Sequence, residues 1–449
     1  MTEPSHDPDP PQTRKRRGDP DEWTPPTAGK RSNTKSVLQQ RLEAEREATR
    51  LRLAKLQRLR DEELARRPVS PPGTHGDLNF YARFIKVGQG DCIVMCTPKG
   101  RRILVDCGST ATEVDDPDVF IRGIRDNLQD PKFLGSQELK DGEPVPRTID
   151  VLILTHADED HFNKLARALT GTGVTVDKVY HSGERAHYGT AGNWLLFNGT
   201  RPEEIRKVVH NKEKPPAVGK DAPPPGPETG PGEITFNGVA VPPADNAAQV
   251  DRLDAQGGIR IIAETVPFCT VTILAAGVST DHAKDNSDAF GKNRGSIVTL
   301  VEVFEGTGRK KLLLCGDATT STEKHLTEKG RYAEQNKLRL AAVDVAHVAH
   351  HGSAVTSSSQ EWVDLVNPKD RALICAGLKG ISSHHLPSWP VVRRYEKQLK
   401  DAGRQVVGYP LTAWDTKRNL YDTVEENVEA PIYTTGSHGN QNIDWLRLP

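Results

Sequence analysis

The apolar run Val151-Leu152-Ile153-Leu154 ends directly in Thr155-His156-Ala157-Asp158-Glu159-Asp160-His161. No other stretch limits the possible folds as much. The run reads as a buried strand. At its C-terminal end, His156, Asp158, Asp160 and His161 place four potential metal ligands within six residues. Alternating side chains at a strand end and in the loop that follows converge on one point above a sheet. His and Asp are the ligand types of a catalytic divalent metal. Capping of the helical stretch that follows, LARALTGTG, would explain one such residue but not four.

The same event recurs along the chain. Val105-Asp106-Cys107-Gly108 ends a strand in Asp, and Leu312–Leu314 runs into Cys315-Gly316-Asp317. Val343–Val348 runs into Ala349-His350-His351-Gly352-Ser353, and His384 and His385 lie together in a later loop. Each is weak alone. Together they describe a sheet protein whose polar residues gather where apolar strands end. Strands come in two batches, NFYARFIKV, CIVMCTP, RRILVDCG and TIDVLILT, then IRIIAETV, CTVTILAAG, SIVTLVEVF and KKLLLCGDA. Helical stretches lie between and after them, which suggests two sheets packed face to face and covered outside by helices.

Composition locates this domain within the chain. The 449 residues include 38 Gly and 32 Pro, and only 35% are hydrophobic, so part of the chain is expected to stay unfolded. Residues 1–35 read as a disordered tail carrying the basic cluster Arg14-Lys15-Arg16-Arg17. Residues 36–67 are almost all helix formers, a charged helix suited to self-association, to a protein partner or to phosphates, or acting as a spacer; the linker to 75 follows. Residues 76–449 form the folded domain, with a Pro/Gly-rich surface insertion around 183–260. No apolar run reaches the length of a membrane span, and the N-terminus does not read as a secretory signal. Cys92, Cys96, Cys107, Cys269, Cys315 and Cys375 form no CxxC pair and read as small core residues of a reduced, cytoplasmic protein. A net charge of −1 gives no global reason to bind nucleic acid.

These pieces, in this order, resemble the metallo-β-lactamase fold, and within it the soluble hydrolase domain of the DNA-uptake competence protein ComEC. The resemblance rests on Phe84–Asp91 (FIKVGQGD), Leu104–Gly108, Leu154–His161, Leu314–Ala318 and Val348–Ser353, and covers roughly residues 78 to 437. It implies an α+β protein, an αββα sandwich with one or two divalent metal ions, zinc or manganese, on one edge. By position, His156, Asp158, Asp160 and His161 look like the ligand motif. Asp317 looks like the metal-bridging carboxylate, and His351 or His350 like the last His ligand. Where the wider superfamily has a further His, this chain has Lys292-Asn293-Arg294-Gly295-Ser296, so one metal site has fewer nitrogen ligands and harder ions become suitable.

The expected activity is metal-dependent hydrolysis of a phosphodiester in DNA or RNA. Asp160 would orient or deprotonate water, and His384 or His385 would contact a phosphate or protonate the leaving oxygen. Asp91, Asp106, Asn293, Ser296 and Ser353 are the candidate substrate contacts. The alternatives are a hydrolase of a small ester, thioester, lactone or nucleotide on the same fold, and a non-catalytic metal-binding scaffold.

Overall fold

The computed structural model describes residues 78–110, 118–135, 139–140, 143–144, 147–200, 204–209, 233–236, 239–240, 252–253, 258–265, 268–284, 288–305, 308–377, 385–415 and 422–445. The tail at 1–35, the charged helix at 36–67, the linker to 75, His384 and most of 210–257 lie outside the described residues.

Two large sheets carry the architecture. In the first, β1 (Phe80–Phe84), β2 (Ile93–Cys96) and β3 (Arg102–Val105) form an antiparallel meander. β4 (Arg147–Leu154) then pairs parallel to β3, β5 (Val174–His181) parallel to β4, and β6 (Ile205–Val209) parallel to β5. In the second, β7 (Ile259–Thr265), β8 (Phe268–Ala275), β9 (Val298–Glu305) and β10 (Gly308–Leu314) form another meander. β11 (Val345–His347), β12 (Arg371–Ile374) and β13 (Ile432–Thr434) continue it in parallel. β14 (Gln441–Trp445) returns to the first sheet, antiparallel to β1.

Side-chain alternation explains the layering. On β4, Val151 and Ile153 enter the core between the sheets, while Leu152 and Leu154 face the outer layer. On β10, Leu312 and Leu314 point inward and Leu313 outward. The outer face of the first sheet is covered by Ile124 and Leu128 of helix 119–128, Leu165 and Leu169 of helix 165–169, and Trp194 of helix 189–194. The second is covered by Leu340, Trp362, Val363, Val392 and Tyr395 from helices 333–340, 360–366 and 389–401. The result is the αββα sandwich expected from the sequence. Among the described residues, no helix is long and apolar enough to cross a membrane.

The stretch from 183 departs from its reading as a surface insertion. Residues 185–199 are helical and bury Tyr188, Trp194 and Leu195, and β6 is a member of the first sheet. The Pro- and Gly-rich composition that suggested a loop belongs to residues further along, beyond this apolar start.

Parallel strands bring their C-terminal ends to one edge, where ligand-bearing loops gather. Here β3 ends before Asp106, β4 before Thr155 and His156, β10 before Asp317, β11 before His350 and His351, and β12 before Cys375. Backbone contacts lock the loops after β3 and β4 to each other and to the Asp91 loop between β1 and β2. Asp91 N–H donates to the Asp160 carbonyl at 3.1 Å, Cys107 N–H to that of His161 at 2.7 Å, and Gly108 N–H to that of Asp91 at 3.0 Å. Gly108 has to be glycine, because a Cβ there would lie 2.3 Å from the Asp160 carbonyl carbon and 2.4 Å from the His161 nitrogen.

A second anchor is buried Glu323, in the short helix 320–324 after Asp317. It accepts the backbone N–H groups of Ser358 at 2.5 Å and Ser359 at 3.1 Å, just beyond the paired histidines. Burial pushes its carboxyl up to about 7, against the opposing pull of these donors and of Arg394.

Two outcomes follow from these anchors. Gly108→Ala should destabilise the domain by about 1–3 kcal/mol through forced displacement of the 158–161 loop. Gly123→Ala, in a helix with nothing within 4 Å of the new methyl group, should be neutral or stabilise by up to ~1 kcal/mol. Denaturant melts of both variants check the contrast. Glu323 binds its proton more tightly folded than unfolded, so its contribution is complete below the unfolded value near 4.5 and is lost as pH rises through about 7. Wild-type stability should therefore fall between pH 5 and pH 8, and Glu323→Gln should flatten that slope in melts across the range.

Candidate metal centre

Asp317 stands between two groups of ligand-type side chains. Its Oδ1 lies 3.2 Å from His161 Nε2 and 3.4 Å from His351 Nε2, and His351 Nε2 is 3.3 Å from Asp160 Oδ2. Its Oδ2 lies 3.8 Å from His156 Nε2 and 3.5 Å from His350 Nε2, and His156 Nε2 is 3.6 Å from Asp158 Oδ2. One carboxylate thus faces Asp160, His161 and His351 with one oxygen, and His156, Asp158 and His350 with the other. Both His156/His161/Asp317 and Asp160/His161/His351 bring their ligand atoms within 4.8 Å of one another.

The hydrogen bonding sets these groups up to hold cations. His156 Nε2, His161 Nε2, His351 Nε2 and Asp317 Oδ1 are buried and make no hydrogen bond. Orphaned polar atoms are costly inside a protein, and here they converge. The other nitrogen of each imidazole is engaged. His161 Nδ1 donates to Asp106 Oδ2 at 2.8 Å, and His351 Nδ1 to the Cys375 carbonyl at 2.7 Å. Thr155 Oγ1 gives its proton to Asp106 Oδ2 at 2.6 Å, so it accepts from His156 Nδ1 at 3.1 Å. Ser296 Oγ, at 3.2 Å from the same nitrogen, accepts the Asp317 N–H. All three rings therefore commit Nδ1 to the protein and leave Nε2 as the nitrogen a metal ion would take on displacing its proton.

His350 differs. Thr356 Oγ1 donates to Ser353 Oγ at 2.9 Å and so accepts from His350 Nδ1 at 2.5 Å. The remaining Nε2 lone pair accepts from Asn293 Nδ2 at 3.2 Å. His351, not its neighbour, offers an unclaimed nitrogen. Lys292 Nζ also lies 3.1 Å from Asp158 Oδ1, placing a cation against the outer group. The inner group, Asp160, His161, His351 and Asp317, is the better prepared of the two.

Electrostatics agree. Burial disfavours a charge on His351, but Asp317, Asp160 and Asp91 outweigh it and move the imidazole up to about 9. Burial also opposes a charge on His161, yet Asp317 and Asp106 raise it well above the usual range. Burial would raise Asp317, whereas His351, His161 and His350 hold it well below. Asp317 stays charged, and His161 and His351 hold protons that a metal ion would displace.

Backbone strain concentrates here too. Asp106, His350 and His351 adopt left-handed conformations, with φ of 53°, 50° and 52°. Each costs roughly 1–2 kcal/mol for a residue with a Cβ, and the loop contacts around them sustain that cost.

The structure brings the predicted ligands His156, Asp158, Asp160, His161, Asp317, His350 and His351 to one place. It gives the proposed substrate contacts a different position. Asp91 and Asp106 are 1% and 0% exposed, behind the imidazoles, so neither carboxylate reaches a substrate. Asp91 Oδ1 lies 3.6 Å from His351 Nδ1 and its Oδ2 3.9 Å from His161 Nδ1. Ser296, Asn293 and Ser353 are buried as well, orienting His156, His350 and Thr356. His385 packs on Trp414 with ring centroids 4.0 Å apart. Its segment adjoins the paired histidines, because Ser388 donates to the Gly352 carbonyl through Oγ at 2.6 Å and N–H at 3.1 Å. Thr155, Thr356 and Lys292 are participants that spacing did not single out. Thr155 carried a signal, a hydroxyl directly before the first ligand.

Residues 85–247 match the model of the Metallo-beta-lactamase superfamily. Among solved structures, the chain is similar to the metallo-β-lactamase SMB-1 bound to 2-mercaptoethanesulfonate, at 14% identity over 63% of this chain and 82% of that one, with a TM-score of 0.28. It is also similar to the short form of human tRNase Z, at 11% identity over 66% of this chain and 92% of that one, with a TM-score of 0.33. A possible metal-dependent hydrolase from Veillonella parvula aligns at 10% identity over 72% and 93% of the two chains, with a TM-score of 0.32. No curated protein matches.

Asp106→Asn keeps the shape behind His161 but removes the charge that fixes its tautomer. It should weaken metal affinity by about 10–100-fold, read by titration against a chromophoric chelator. Ser353→Ala, which removes one acceptor of Thr356, should change affinity far less.

Proposed function

We propose that the domain is a metal-dependent hydrolase that cleaves phosphodiesters, with DNA or RNA as substrate. The observation that carries this reading is the set of orphaned, converging atoms around Asp317, whose partners behind the rings are already satisfied. The superfamily match over 85–247 supports the hydrolytic part. The resemblance of the His156–His161 and His350–Ser353 motifs to the ComEC hydrolase domain supports the phosphodiester part.

Asp160, His161, His351 and Asp317 would hold the first divalent ion, and His156, Asp158 and Asp317 a second, more weakly. Zinc suits the imidazoles and manganese the carboxylates. Such an ion, when bound, lowers the pKa of water and draws charge from the electrophile's oxygen.

The chain's own residues supply the remaining functions. The buried side of the site, His156, His161, His351 and Asp317, excludes water and fixes geometry. Asp158, Asp160 and Lys292 form the open side, with side chains 32%, 19% and 53% exposed. Asp160, held against His351, would take a proton from the attacking water. Lys292 Nζ offers the rim a positive charge for a phosphate oxygen, while Asp158 keeps it in place. His385 is assigned the leaving-group proton. All six cysteines are free and buried, which accords with a cytoplasmic location.

A panel of single- and double-stranded DNA, RNA and small nucleotides, with and without chelator, tests the substrate. Cleavage of at least one nucleic acid is expected with manganese or zinc, and Asp160→Ala should fall to the chelated baseline. Lys292→Met should reduce turnover by about 10²–10³, the scale of losing one positioned charge or donor. Hydrolysis of a small ester or lactone with no nucleic acid cleaved would overturn the substrate and leave a hydrolase.

A further inference from the structure

We propose that Asp91, His347 and Cys375 form a separate, fully buried cation site that takes a zinc-class divalent ion through one carboxylate, one imidazole and one thiolate. A carboxylate oxygen of Asp91, a ring nitrogen of His347 and Cys375 Sγ lie within 4.8 Å of one another. The topology delivers them together. His347 is the last residue of β11 and pairs in register with Leu373 of β12, two residues before Cys375. Asp91 immediately precedes Cys92 in the approach to β2, and its Oδ2 is 3.5 Å from His347 Nε2.

The second observation is independent of that proximity. His347 is 1% exposed; its Nε2 faces only Asp91 Oδ2, at the limit of hydrogen-bond distance, and its Nδ1 makes no hydrogen bond. Asp91 Oδ1 is likewise buried with none. A buried ring nitrogen is normally satisfied, and on the Nδ1 side Phe84, whose ring centroid lies 5.6 Å away, offers nothing polar. A bound cation would use a His347 nitrogen and both kinds of anionic ligand.

Charge points the same way. Asp91 and a Cys375 thiolate together neutralise a divalent ion, which removes the cost of an isolated buried charge. On binding, the Cys375 S–H bond breaks, its proton leaves to solvent, and a sulfur–metal bond forms, with no change of oxidation state. Sulfur and nitrogen donors select a borderline ion over magnesium or calcium. The ion would hold Asp91, whose oxygens face the back of His351 and His161 at 3.6 Å and 3.9 Å. It would thus stiffen the carboxylate behind the hydrolytic centre without entering it.

Cobalt substitution of the full-length protein tests this, because the ligands around Asp317 include no sulfur. The protein is stripped with chelator, reloaded with cobalt(II), and its near-ultraviolet spectrum and cobalt content are measured. A sulfur-to-cobalt charge-transfer band of one thiolate is expected. It should vanish in Cys375→Ser with the loss of one cobalt per chain, and persist in Cys92→Ser, Cys107→Ser and Asp160→Ala. Persistence in Asp160→Ala separates this site from the hydrolytic assignment, whatever substrate is found. Loaded wild-type protein without the band overturns the site even if Cys375→Ser fails to fold. Retention of the band in Cys375→Ser overturns it equally.

Discussion

The buried carboxylate of Asp106 organises the edge of the sandwich. It is 0% exposed and receives three donors, Thr155 N–H at 2.8 Å, Thr155 Oγ1 at 2.6 Å and His161 Nδ1 at 2.8 Å. Those bonds tie the end of β3 to the end of β4 and orient two ligand imidazoles, His161 directly and His156 through the committed Thr155 hydroxyl. Charge-assisted bonds of this kind are roughly twice as strong as neutral ones, which helps sustain the left-handed backbone at Asp106. The donors aimed at Asp317 depend on this arrangement.

The second sheet answers with a matching device made of backbone. The Cys375 carbonyl, at the end of β12, accepts from His351 Nδ1. Gly316 accepts the His350 N–H at 2.9 Å, so the turn bearing the paired histidines is pinned to the loop bearing Asp317. Glu323 and Arg394 hold the segment just beyond, with Arg394 donating to the Ser358 carbonyl at 2.7 Å. Each sheet therefore supplies half of the inner group, Asp160 and His161 from the first and Asp317 and His351 from the second, and its own support for them. The site exists only where the two sheets meet.

Much of this was legible in the sequence because strand ends announce themselves. Val151–Leu154 running into His156, and Leu312–Leu314 into Asp317, are changes of chemistry that only a strand end tolerates, and the two batches of strands implied two sheets. What could not be read was which side of an imidazole a partner occupies. Asp91, Asp106, Ser296 and Asn293 have the right residue types and the right neighbourhood for substrate contact, yet they lie behind or beside the rings. Sequence spacing encodes convergence but not depth. The helices and strand at 185–209 were hidden for a related reason. The Pro- and Gly-rich run after them dominates the composition of the region and masks their apolar residues, Tyr188, Trp194 and Leu195 among them.

His350 and His351 show how little separates a ligand from a bystander. They are adjacent, both left-handed, and both within 3.5 Å of Asp317. The difference lies in what reaches each Nε2. Asn293 donates to His350 and consumes its lone pair, while His351 Nε2 is left open between Asp160 and Asp317. Asn293 comes from the Lys292–Ser296 stretch. The same stretch sends Lys292 to Asp158. One short segment thus supplies an amide to His350 and a positive charge to Asp158. The asymmetry between the two halves of the centre therefore originates at the end of helix 288–294, and the inner group is left with the full set of open donors.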